Sequence, residues 1–185
     1  MGRRWSFLAV VLLAGCSRPA APVPQAEPPK EVSTDFKRLK SVLEGLRKPE
    51  AIAVYPGLPS EFWEPQLREV EASRNRTVRL QGYLFYDDRL ELKGEVADRL
   101  ASVLTAERSF QRRRAAKKCG GYDPDYCIEW RSDGATTYIL VCLECGEVKL
   151  FGPRAELYCD LSAESGQDLE RWLKPFRKYQ PPGSG

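Results

Sequence analysis

Residues 126–160 read YCIEWRSDGATTYILVCLECGEVKLFGPRAELYCD. Four strand-like runs fall in this stretch: Tyr126 to Arg131, Thr136 to Cys142, Glu147 to Phe151 and Glu156 to Asp160. Asp133-Gly134 and Gly152-Pro153-Arg154 separate them with residues suited to tight turns. Runs this short and closely spaced predict an antiparallel meander. A two- or four-residue loop at Asp133-Gly134 makes the numbers of facing residues sum to an odd value. Cys127 and Cys142 then share one sheet face, and Tyr126, Ile128 and Trp130 share the other. Placed directly across from each other, the two cysteines would stand ~4.5–5.5 Å apart, close enough for a bridge. Cys159 falls beside Val148, Leu150 and Leu157, as a core thiol or a bridge into the core.

Helical periodicity flanks the meander. Val32, Phe36, Leu39, Leu43 and Leu46 recur at three- and four-residue spacing. They predict a helix over 33–47 with Ser33 or Thr34 as its N-cap. Residues 51–55 suit a short strand and 56–59 a turn. Ser60 can start a helical segment to about Ser73, with Pro65 in its first turn or dividing it. Residues 77–86 alternate as one strand. Residues 93–105 read as a second helix with Val96, Leu100, Val103 and Leu104 inward. A last helix over 165–178 places Leu169, Trp172, Leu173 and Phe176 together. The expected fold class is therefore α+β, with amphipathic helices packed on an antiparallel β-meander in a single small domain.

The chain has 185 residues, six cysteines and no histidine. Without histidine, Ser-His-Asp and Cys-His catalysis cannot be built in the usual way. Histidine-ligated zinc and haem are excluded too. This points away from an enzyme and leaves the cysteines as the candidate chemistry. Cys119, Cys127, Cys142, Cys145 and Cys159 lie close together in sequence and admit three readings. They can form disulfides, with at least one thiol left over because five is odd. They can ligate zinc: Cys142-Leu143-Glu144-Cys145-Gly146 has the spacing of a metal knuckle, which Cys119 and Cys159 or Cys127 would complete. They can form a redox CxxC pair. Such a pair gains its low thiol pKa at a helix N-terminus, whereas Gly146 to Phe151 reads as a strand. No cofactor is expected unless zinc occupies this group.

The N-terminus carries an address. Met1-Gly2-Arg3-Arg4 is a short positive segment, and an apolar run from Trp5 to Leu13 follows. That run is about nine residues, against the ~20 needed to span a bilayer, so it reads as a secretory signal. Leu13-Ala14-Gly15-Cys16 resembles the lipobox of bacterial lipoproteins. The resemblance implies cleavage before Cys16 and acylation of that cysteine, including palmitate-like chains. One chain holds only marginally, whereas two or three hold durably. The expected location is extracytoplasmic and lipid-anchored. Ser17 after the cysteine favours the periplasmic face of the outer membrane in a Gram-negative host. Such a compartment is oxidising and favours disulfides.

The resulting organisation is a signal peptide over 1–15, a lipidated cysteine and Pro/Ala-rich linker over 16–31, one domain over 32–179 and a disordered tail over 180–185. Between Ser17 and Lys30 stand five prolines. An extended Pro-rich linker rises ~3.1 Å per residue, for a reach of roughly 40 Å.

Cys119-Gly120-Gly121-Tyr122-Asp123-Pro124-Asp125-Tyr126 followed by the CxxC hairpin resembles a pattern in uncharacterised bacterial lipoproteins. Tyr55-Pro56-Gly57-Leu58-Pro59 and Gly82-Tyr83-Leu84-Phe85-Tyr86 fit the same pattern. The resemblance spans most of residues 50–175 and implies a shared fold without an assigned activity.

Arg112, Arg113, Arg114, Lys117 and Lys118 form a basic run. Outside the cytoplasm its available partners are anionic lipid, wall polymers or an envelope protein, and nucleic acid is not expected. The blander reading is a solvated loop. Removal of the signal leaves 27 basic and 26 acidic residues, so the run is local. Asp123, Asp125 and Glu129 suggest a carboxylate cluster, although Asp123-Pro124 also reads as a simple turn. Trp63, Trp130 and Trp172 are candidates for either core packing or a carbohydrate surface. Taken together, the expected role is a membrane-anchored, non-catalytic binding or structural envelope protein. A cysteine-ligated zinc protein and a thiol-disulfide oxidoreductase are the alternatives.

Overall fold

The four predicted meander strands pair in sequence order, and their register explains the rest of the architecture. The computed structural model describes residues 29–114 and 120–179. The signal segment, Cys16, the linker through residue 28, Lys117, Lys118, Cys119 and the tail 180–185 lie outside the described residues. The meander consists of β6 (Tyr126–Ser132), β7 (Ala135–Cys142), β8 (Glu147–Phe151) and β9 (Glu156–Leu161). It is extended by β1 (Ala51–Pro56) and β4 (Leu90–Leu92) on one side and β5 (Phe110–Gln111) on the other. The seven strands run in the order β4-β1-β6-β7-β8-β9-β5, every neighbour antiparallel. A separate hairpin pairs β2 (Thr77–Leu80) with β3 (Tyr83–Tyr86). Four α-helices are described: α1 (Leu39–Glu44), α2 (Pro65–Arg74), α3 (Gly94–Leu104) and α4 (Ala163–Leu173). The domain is α+β.

The pleat sorts side chains into two cores, because successive residues of a strand point to opposite faces. On one face Val54, Ile128, Ile139, Leu150 and Leu157 align across five strands. Leu39, Val42 and Leu46 of the α1 region, Leu100 and Leu104 of α3, and Leu169 and Leu173 of α4 cover them. A fully buried aliphatic side chain contributes about 1.5–3 kcal/mol, so this layer dominates the stability. On the other face Tyr55, Cys127, Leu140, Lys149 and Tyr158 form a matching row. Val32 and the β2–β3 hairpin, through Val78, Leu80, Tyr83 and Phe85, close over that row.

Several expectations change at the level of local structure. Residues 77–86 are two strands, not one, because the chain reverses at Gln81 (φ 51°) and Gly82 (φ 85°). Two-residue hairpin turns need positive φ at both central positions, and glycine supplies one of them without strain. Asp133 (φ 51°) and Gly134 (φ 69°) make the equivalent turn between β6 and β7. The first helix is shorter than 33–47: a single tight turn at Phe36–Arg38 precedes α1, and Asp35 caps it by accepting from the Lys37 N–H. Val32 consequently joins the opposite core. Pro65 occupies the first turn of α2, where its missing N–H costs nothing. The last α-helix ends at Leu173, and Pro175 sits in the tight turn that follows.

The two-residue turn also settles the register of the cysteines. Ser132 faces Ala135, so Cys127 faces Leu140 and not Cys142. The Cys127–Cys142 bridge that a shared face left open is not formed: both are free thiols. Cys159 faces Val148 inside the helix-covered core, and it too is a free thiol.

Candidate functional site

A cleft of about 650 Å³ opens at the end of the sheet that carries the CxxC turn. Its walls come from the β1–α2 loop (57–64), the segment 121–125, the β7–β8 turn (142–145), Glu170 of α4, and Arg177 and Tyr179. The close fit of the first two walls depends on Gly57. A Cβ at that position would stand 2.5 Å from the Pro124 carbonyl oxygen and 2.7 Å from that of Asp125. The Gly57 N–H instead donates to the Asp125 carbonyl at 2.7 Å.

Asp125 joins three walls. Its backbone N–H donates to the Val141 carbonyl at 2.8 Å. Its carboxylate accepts from the Leu143 N–H at 2.7 Å and from Arg177 Nη2 at 3.3 Å. Burial pushes its pKa up, and the Leu143 N–H and Arg177 oppose that rise. Asp123 holds the facing loop: it accepts from the Glu61 N–H at 2.8 Å and lies 3.6 Å from Arg68 Nη1. Asp123 and Asp125 thus do structural work as turn residues. Glu129 is not with them. It is buried on the hairpin-covered face, where it accepts from Tyr55 Oη at 3.1 Å, and Arg89 Nη2 and Arg131 Nη2 lie at 3.0 and 2.9 Å.

Phe62 and Trp63 form the rim, at 43% and 59% exposure. The Phe62 ring lies against Gly120 and Gly121. A Cβ on Gly121 would fall 2.4 Å from Phe62 Cζ. Trp63 lines the cleft. Trp130, by contrast, is fully buried, and Trp172 packs at the core margin with Arg99 5.9 Å from its ring centroid.

The cysteines do not converge. Cys127 belongs to the hairpin-covered core and Cys159 to the helix-covered core, with the sheet between them. Neither reaches the cleft, so neither completes a knuckle with Cys142 and Cys145. Among the described residues no group of three or more cysteine or carboxylate donors is placed to hold a metal ion. Burial pushes the Cys142 and Cys159 thiols up to about 12, and Cys127 higher still. Backbone N–H groups of Cys145 and Asp123 oppose the rise at Cys142 without reversing it. Cys145 is disulfide-bonded. Its Sγ lies 3.7 Å from the Gly121 carbonyl oxygen, a packing contact, because a disulfide sulfur has no proton to donate. Cys119 lies outside the described residues.

The basic run is divided in its use. Arg113 is committed inward, with its guanidinium 4.4 Å from the Tyr158 ring centroid and 3.6 Å from Glu147. Arg112 and Arg114 are exposed, and the Arg114 N–H donates to Asp160 at 3.3 Å. Lys117 and Lys118 lie outside the described residues.

One cluster has no counterpart in the motif reading. Lys149 Nζ sits 4.3, 4.9 and 5.1 Å from the ring centroids of Tyr122, Tyr158 and Tyr83. Burial lowers its pKa to about 8, with Glu147 pulling it up and Arg113 pushing it further down. The available signal was its parity: Lys149 takes the inward position between Val148 and Leu150. No protein-family profile, curated protein or solved structure matches this chain.

Proposed function

We propose that this protein is a lipid-anchored, extracytoplasmic envelope protein whose folded domain binds a partner and catalyses nothing through its thiols. Cys16 carries the lipid, the Pro-rich segment is the tether, and the cleft beside the CxxC turn is the contact end. The observation that carries the non-catalytic part is the state of the free cysteines. A nucleophilic or redox thiol requires a depressed pKa and access to solvent. Cys127, Cys142 and Cys159 are buried, and burial moves all three pKa values upward. Cys145 is already engaged through its sulfur.

Fatty-acid labelling in the native host tests the anchor: Cys16→Ala should abolish incorporation, and persistent labelling would overturn it. A thiol count on denatured, unreduced mature protein tests the cysteines. Three thiols without stoichiometric zinc are expected. Four or five thiols with bound zinc would replace this reading with the metal-binding one. Insulin reduction should stay at the uncatalysed rate, and acceleration would restore the oxidoreductase reading.

A further inference from the structure

We infer that the cleft docks a basic segment of a partner protein, with an arginine or lysine side chain lying on Trp63. This rests on the reading of the domain as a binding protein and specifies what it binds. Exposure is the first observation. Four large apolar side chains are exposed among the described residues, and the two aromatic ones, Phe62 and Trp63, are adjacent at this rim. The loop holding them is built in place: Phe62 packs on Gly120 and Gly121, Ser60 Oγ accepts from the Phe62 and Trp63 N–H groups at 3.3 Å, and Asp123 accepts from Glu61. An aromatic side chain held at the mouth of a cleft is a ready anchor for a partner.

Charge supplies the second observation. Five carboxylates and one arginine line the cleft. Asp123 and Asp125 are paired with Arg68 and Arg177. Glu64, Glu144 and Glu170 have no ion-pair partner among the described residues. The cleft is therefore locally negative on a chain whose formal net charge is +3. A concave negative surface concentrates cations and repels anions. A cation on a tryptophan face gains a further electrostatic attraction to the ring. Arginine and lysine also bring an apolar stem to cover the ring, which a free metal ion does not.

Position supplies the third. The chain enters the domain from the tether beside Lys30, whose ammonium pairs with Glu156 at the start of β9. The cleft lies at the other end of that strand, where Glu147 and Asp160 face each other next to Cys142. Six residues of β9 separate the two ends, about 20 Å of extended chain. The tether thus joins the end remote from the cleft, and negative charge there disfavours anionic headgroups. Both features favour a protein partner over the membrane surface.

The test uses the lipidated, full-length mature protein in neutral detergent micelles. The probes are a hexapeptide of three arginines alternating with three alanines, its glutamine counterpart, and a neutral chitin oligosaccharide. Tryptophan emission and calorimetry follow binding. The arginine peptide should bind at least ten-fold more tightly than the glutamine peptide, and added salt should weaken it. Trp63→Ala, and separately the pair Glu64→Gln with Glu170→Gln, should each reduce its affinity at least ten-fold. These are surface or rim positions, and unchanged circular dichroism and Tm would verify folding. Equal binding of the glutamine peptide, binding indifferent to Trp63→Ala, binding of the oligosaccharide alone, or no binding would each overturn the inference. Failure of Cys16 labelling would defeat the anchor while leaving this result standing.

Discussion

The backbone N–H of Lys149 donates to the hydroxyl of Tyr122 at 3.2 Å, while Nζ of the same lysine sits 4.3 Å from the Tyr122 ring centroid. One residue of β8 therefore grips both ends of a tyrosine whose chain neighbours Gly121 and Asp123 line the cleft. Tyr122 also donates through its hydroxyl to the Leu140 carbonyl. Tyr83 and Tyr158 meet the Tyr122 ring edge-on at 5.5 and 5.4 Å. The segment 120–125 is fastened to the sheet through these contacts.

Lys149 should titrate near pH 8, well below the ordinary lysine value of 10.5. The sign follows from the lowered folded pKa. Between about pH 8 and 10.5 the unfolded chain holds a proton that the folded chain has released, so the lysine's contribution to stability rises with pH. The limit is about 1.4 kcal/mol per pH unit. Tyrosine ionisation in the unfolded chain erodes the gain above about pH 10. Nitrogen-detected NMR of the lysine ammonium groups would check this, and a Lys149 pKa above 10 would contradict it.

Gly121→Ala should destabilise the domain by about 1–3 kcal/mol, the usual cost of forcing atoms into a packed site. The added methyl meets the Phe62 ring at 2.4 Å. Combining it with Phe62→Ala should recover only the part due to the ring, because Gly121 stands at φ 156°, a conformation that strains any residue with a Cβ. A thermal or urea unfolding series on the two single variants and the double measures this directly.

Glu129→Gln should cost about 1–3 kcal/mol, since it removes the charge that Arg89, Arg131 and Tyr55 converge on. Burial alone would raise the Glu129 pKa, but the hydrogen bonds from Arg89 and Tyr55 outweigh it and the net shift is downward. Its stabilising contribution is therefore present above the unfolded carboxyl pKa and is lost as pH falls through the lower folded value. Wild type should lose stability faster than the variant as pH falls below about 4.5, and parallel curves would contradict the assignment.

Cys127 and Cys159 should resist alkylation in the native state at pH 7 and react only as fast as the domain unfolds. Both have no exposed surface. Mass spectrometry after timed exposure to iodoacetamide would locate the modified residues. Rapid labelling of either, in folded protein, would contradict their burial.

The meander was legible because turn residues and period-2 burial are local properties of the chain. The pattern in 126–160 set the strand pairing, and parity alone placed Cys127 and Cys142 on one face. Parity did not fix where the turn is centred: centred on Asp133-Gly134, it sets Cys127 opposite Leu140, whereas a turn centred one residue later would bring Cys127 opposite Cys142. β4 and β5 were not legible: runs of three and two residues carry no period and exist only because a sheet edge accepts them. The break at Gln81-Gly82 was missed because alternation continues across it.

Local chemistry also accounts for the α+β class, the positions of α3 and α4 and the lack of any histidine-based site. Which side chains meet required three dimensions. Glu129 shares no motif with Arg89 or Tyr55, and the three Lys149 tyrosines come from β3, the segment before β6, and β9. The cysteines are the clearest case. Their closeness in sequence suggested one site, yet the alternation of a pleated strand sends Cys127 and Cys159 to opposite faces of the same sheet. Sequence distance is measured along the chain, whereas bonding depends on distance through space, and a sheet one backbone thick keeps those thiols apart.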